Sequence, residues 1–112
     1  MPIRMTKPWQ PLTLDNAAKL PGQLGVYQLA DDTGEIIAIG FAGGRSLFGL
    51  RGILKDLVNN PPAGATQFRV EINAQYQTRY RELLMVHQAD HGALPPHNQS
   101  DPPHNLGRLS PL

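Results

Sequence analysis

Cysteine is absent from the chain. That removes disulfides, thiolate metal ligands and a thiol nucleophile together, so any catalysis has to run on oxygen, nitrogen or a bound metal ion. No apolar run approaches the roughly 20 residues that cross a bilayer. The first residues also lack the apolar core of a secretion signal, so a soluble, cytoplasmic chain with no membrane partner is expected. An excess of one charge is missing too: 10 Lys and Arg stand against 9 Asp and Glu, a formal net charge of +1. This excludes a broad basic face for unaided nucleic-acid binding, and any such contact has to be local.

With 112 residues, 40% of them hydrophobic, the chain has enough for one domain with a modest core. Proline marks its limits. Pro2, Pro8 and Pro11 crowd the start, and Pro95, Pro96, Pro102, Pro103 and Pro111 crowd the end. The expected organisation is an irregular arm over residues 1–13, a folded domain over 14–98 and a proline-rich tail over 99–112. Trp9 is read as a clamp holding the arm to the body, with base stacking as the alternative.

Two runs rich in strand formers, Gly25 to Leu29 and Glu35 to Gly40, flank the polar segment Asp31-Asp32-Thr33-Gly34 and predict a β-hairpin. Strict alternation puts Tyr27 with Leu29 on one face of it, and Ile37 with Ile39 on one face opposite Ile36 and Ala38. Before the hairpin, Thr13 or Asp15 can cap a short helical turn that Pro21-Gly22 ends. After it, Ser46 is a candidate cap for a helix reaching about Asn59, with Leu47, Leu50, Leu54, Leu57 and Val58 as its buried stripe. Thr66 to Ile72 alternates as a third strand, with Phe68, Val70 and Ile72 inward. A second helix runs from about Gln75 to Asp90 with Tyr76, Tyr80, Leu83, Leu84 and His87 along one side, and Gly92 stops it. These elements predict an α+β domain, a small three-stranded, mainly antiparallel sheet flanked by helices.

Several side chains on these elements have two readings. Arg51, at the margin of the first helix's stripe, either covers apolar surface with its stem or reaches toward the hairpin. Glu82 is either a surface carboxylate paired with Arg79 or Arg81, or a ligand at the core margin. His87 and His91 have the i, i+4 spacing that can chelate zinc, but no Glu follows His87 in a metalloprotease pattern.

The order strand, turn, strand, helix, strand, helix, with the residues at its joints, resembles the GIY-YIG nuclease superfamily. Leu20-Pro21 ahead of Gly25-Val26-Tyr27 resembles the family's opening motif, and Ala38-Ile39-Gly40 stands where the second motif falls. Arg51 resembles the helix arginine, with Arg45 as its rival. Glu82 resembles the metal-binding glutamate, and Pro95 with Asn98 resembles the closing proline and asparagine. Ala38 replaces the second motif's tyrosine, Phe41 replaces a polar or basic residue, and His97 replaces an aromatic one.

The resemblance implies an endonuclease that cleaves phosphodiesters of nucleic acid, DNA in first place, with Mg²⁺ or Mn²⁺. It assigns Glu82 to the metal, Arg51 to phosphate and Tyr27 to a water that it orients or deprotonates. Gly25, Gly40 and Asn98 fall to the structural motif. Water or His97 is left to fill the place of the missing tyrosine hydroxyl. The alternative is a catalytically silent nucleic-acid-binding module using Arg45, Arg51, Lys55, Arg69 or Arg79. A third is a protein-interaction domain that offers its proline-rich tail. A domain of this size also invites a partner protein that supplies specificity.

Overall fold

The computed structural model describes residues 4–43 and 48–99. The expected Ser46 cap, Leu47, Arg45 and the tail beyond Gln99 therefore lie outside the described residues. The elements are β1 (Gln10–Pro11), α1 (Leu14–Ala18), β2 (Gly25–Ala30), β3 (Ile36–Ala42), α2 (Gly49–Asn59), β4 (Gln67–Ile72), α3 (Tyr76–His91) and α4 (Pro96–Gln99).

The sheet has the order β1-β4-β2-β3, and every neighbouring pair is antiparallel. The α+β class and the antiparallel sheet are as expected, but the strand count is four among the described residues rather than three. The extra strand comes from the arm, where Gln10 pairs with Phe68 and Pro11 with Gln67. A proline is tolerated there because β1 lies at the sheet edge, where one side of the strand needs no ladder partner.

The hairpin turn is built by Asp31, whose Oδ1 accepts from the Thr33 and Glu35 backbone N–H groups and from the Thr33 hydroxyl. Thr13 caps α1, its hydroxyl accepting from the Asn16 N–H. Gly92 closes α3 in the left-handed conformation.

The two faces of the sheet carry two cores. On one, Leu29, Ile37, Ala38, Ala42 and Phe68 pack with Ala17 and Leu20, the α1 side, and with Leu50 and Leu54 of α2. On the other, Val26 and Ile39 pack with Leu83 and Leu84 of α3 and with Met5 of the arm. Strict alternation along β3 fails here. Leu29 pairs with Ala38 but Ala30 pairs with Ile36, so Ile37 is an extra residue at a β-bulge. Ile37 and Ala38 therefore both serve the first core, while Ile39 serves the second. A helical turn also forms in the proline-rich segment as α4, because Pro96 sits at its first position, where the missing N–H costs nothing.

Candidate active site

Tyr27 lies at the centre of β2, opposite Gly40 on β3 and Val70 on β4. Its ring occupies the space above Gly40: a Cβ there would stand 2.3 Å from both Cζ and Oη of Tyr27. Gly25, the other motif glycine, is as tightly placed, since a Cβ would come within 2.2 Å of the Glu71 carbonyl oxygen. Both glycines are needed for close approach. Burial pushes the Tyr27 phenol up from its ordinary pKa, and nearby Tyr80 adds to the rise. That rise disfavours the phenolate.

Asn98 is buried against the free edge of β3. Its Oδ1 accepts from the Ile39 N–H and its Nδ2 donates to the Ile39 carbonyl, each at 2.9 Å. A side-chain amide thus takes the place of a neighbouring strand at the residue between Ala38 and Gly40. His97, beside it on α4, has its Nε2 2.9 Å from the Ala63 carbonyl oxygen.

Glu82 belongs to a charged group on the other face. The Arg79 guanidinium forks onto Glu71, Nε to Oε2 at 2.8 Å and Nη2 to Oε1 at 3.0 Å, while its Nη1 bonds Glu82 Oε1. Arg79 is only 9% exposed, so its pair with Glu82 is not the exposed surface pair of the simpler reading, and its guanidinium is already committed to two carboxylates. Burial disfavours its charge, but hydrogen bonds and attraction from Glu71 and Glu82 outweigh that and raise its pKa. Burial likewise works against the Glu71 carboxylate, yet Arg79 and Asn73 hold its pKa below the usual value. Two carboxylates around one guanidinium leave one negative charge among the three.

The remaining cations divide. Arg51 on α2 lies beside Gly22, with no hydrogen-bond or ion-pair partner among the described residues. Lys55 is exposed on the same helix. Arg69 on β4 is turned inward, bonded to Gln28 and to the Lys7 carbonyl, with the Trp9 ring 4.2 Å from its Cζ. Trp9 is thus the clamp the sequence suggested, and Arg69 is its anchor. Arg45 lies outside the described residues.

The fold brings Tyr27 to Gly40 and Asn98 to Ile39. It leaves Tyr27 and Arg51 on the α2 side and Glu82 on the α3 side, and no hydrogen bond or ion pair joins the three. Tyr80 is the residue of α3 near enough to Tyr27 to influence it, and it packs edge-on to Phe41, which also stacks on Tyr76. Sequence reasoning missed Glu71 and the burial of Arg79. The signal was present, because Arg79 falls three residues after Tyr76 and four before Leu83, inside the buried stripe.

No curated protein matches the chain. The family comparison does match, over residues 1–90; that span takes in Tyr27, Gly40, Arg79 and Glu82 and ends before Asn98. By that match the chain belongs to the family DUF7508, a domain of unknown function.

Proposed function

We propose that the chain is a GIY-YIG-type domain that acts on nucleic acid, DNA in first place, by divalent-metal-dependent phosphodiester cleavage. The observation that carries this reading is the register: the tyrosine of the first motif rests on the glycine of the second, and Asn98 holds the strand between them. An intracellular nucleic-acid substrate places the chain in the cytoplasm, and its small size suits a partner protein that supplies target specificity.

The residues divide the work by their surroundings. Tyr27, kept neutral by burial, orients the attacking water. Arg51, with its guanidinium uncommitted, takes the phosphate oxygens. His97 is anchored through Nε2 on the Ala63 carbonyl, and it or a water would fill the place of the hydroxyl missing at Ala38.

Glu82 suits a hard cation. One oxygen bonds Arg79, the other has no hydrogen-bond partner among the described residues, and Glu71, Arg79 and Glu82 together carry formal excess negative charge. An ion there would be held by this one carboxylate, with waters and phosphate oxygens supplying the rest of its shell. Mg²⁺ or Mn²⁺ held by Glu82 would stabilise charge on the phosphate and the leaving oxygen, which requires the substrate to bridge from the α2 side, where Tyr27 and Arg51 lie, to Glu82 on the α3 side.

Replacing Tyr27 with Phe tests the assignment. Loss of one hydrogen-bonding catalytic group lowers rates by about 10² to 10⁴, so the variant is expected to bind DNA as the wild type does and cleave it far more slowly. Equal cleavage by Tyr27→Phe removes the tyrosine from the mechanism.

A second reading is favoured by the hold of Arg79 on Glu82 and by Ala38: a silent binding module. Its signature is DNA affinity that falls steeply with salt, weakens in Arg51→Ala and Lys55→Ala, and is accompanied by no cleavage.

A further inference from the structure

A pocket of about 100 Å³ lies between the arm, the β2–β4 pair and the last turns of α3. Arg69, Gln28 and His87 line it, with Met5, Leu83 and Val86 as apolar wall. It is large enough for several waters or for a ligand of a few heavy atoms. It is separate from Tyr27, Arg51 and Glu82, none of which lines it.

Arg69 is the unusual member. Its charge is partly taken out of water, and burial lowers its pKa, yet no carboxylate among the described residues pairs with it. Its Nε donates to Gln28 Oε1 at 2.7 Å and its Nη1 to the Lys7 carbonyl at 3.2 Å, which leaves Nη2 without an acceptor among the described residues. Gln28 is 3% exposed and spends its oxygen on Arg69, so its amide nitrogen is a second uncommitted donor. A partly buried guanidinium is stable when an anion compensates it, and the open Nη2 beside the Gln28 amide nitrogen offers one donor to each oxygen of a carboxylate. Above them, the arm is tied across α3 by the Arg4–Asp90 ion pair.

We infer that this pocket is a binding site for a small carboxylate with a short apolar body, its oxygens on Arg69 and Gln28 and its carbons against Met5, Leu83 and Val86. The apolar wall selects against inorganic phosphate, which offers nothing to fill it.

Trp9 is the sole tryptophan and rests on Arg69, so its fluorescence reports the site. The full chain is titrated with sodium butyrate, and with sodium phosphate and sodium chloride at matched ionic strength. A saturable change with butyrate alone is expected. It should weaken about tenfold to a hundredfold in Arg69→Gln, the usual effect of losing a charged hydrogen bond. Val86→Phe, which fills the pocket and leaves the polar groups in place, should abolish it.

Nuclear magnetic resonance of the wild type supplies a readout independent of both variants: the added anion should raise the His87 pKa. His91, Asp90 and Glu35 also act on His87, and Arg4 and Arg69 line the same pocket. All are present with and without butyrate, so the shift isolates the ligand's charge. Saturation by phosphate in preference to butyrate, or a butyrate response no different from chloride with His87 unmoved, overturns the inference.

Discussion

Tyr27 and Gly40 are fitted to one another across the β2–β3 pair, with no room for even a methyl group between ring and backbone. Gly40→Ala must push the ring aside or force the strands apart. Overpacking of this kind costs about 1–3 kcal/mol. Thermal or urea unfolding should register that loss, and cleavage should fall further than stability does, because the displaced hydroxyl no longer meets its water. An unfolding midpoint equal to the wild type's would show that the ring has space to move.

Asn98 is expected to matter for stability, since it satisfies both backbone groups of Ile39 on the free edge of β3. Asn98→Leu leaves them without partners, at about 1–3 kcal/mol. Asn98→Asp should do no better, because its carboxylate faces the Ile39 carbonyl in place of a donor. Denaturant titration of the two variants distinguishes this clamp from a purely catalytic asparagine, whose loss would leave the midpoint in place.

Arg79 holds two carboxylates from a buried position. Arg79→Met strands Glu71 and Glu82 near each other and should destabilise the fold by about 1–3 kcal/mol, below the fully buried case because Glu82 is partly in water. The same change frees Glu82 from its cation. If Glu82 binds metal, stabilisation by Mn²⁺ should be greater in Arg79→Met than in the wild type, measured as the shift in melting temperature on adding the ion.

His87 gives the chain a pH dependence in a window of its own. Burial pushes its pKa below the ordinary 6.5, and His91 assists, while the Ala93 carbonyl, Asp90 and Glu35 work the other way. Below 6.5 the unfolded chain takes up a proton that the folded chain resists. Stability is therefore full above that value and declines as pH falls toward the folded-state pKa. Carboxylates with lowered pKa, such as Glu71, add their loss only at lower pH, below their ordinary 4.5. Denaturant midpoints between neutral pH and about pH 5 should fall for the wild type and stay flatter for His87→Asn, which keeps a donor for Ala93.

The hairpin, the helix order and Trp9 as a clamp were legible because each rests on local periodicity or on one unusual residue. The bulge at Ile37 was not, because it depends on how β3 meets β2, and the apolar run Ile36-Ile37-Ala38-Ile39 reads the same with or without it. Strand β1 was hidden by Pro11, which argues against a strand everywhere except at an edge. Tyr27, Gly40 and Asn98 were singled out by their order along the chain, but the contact of Asn98 with Ile39 depends on where α4 meets β3 and was not readable. The burial of Arg79 shows in its helical spacing from Tyr76 and Leu83 but not in its charge, because its second carboxylate, Glu71, comes from β4. The contacts of Arg69 were hidden for the same reason, its partners Gln28 and Lys7 being distant in sequence.

The most direct measurement is nicking of supercoiled plasmid by the purified chain in Mg²⁺ or Mn²⁺, beside Glu82→Gln and an EDTA control. The account predicts cleavage that needs the ion and is lost in Glu82→Gln while the variant keeps its fold. Cleavage that survives either control, or none by the wild type while it binds DNA in a salt-dependent way, contradicts the nuclease assignment.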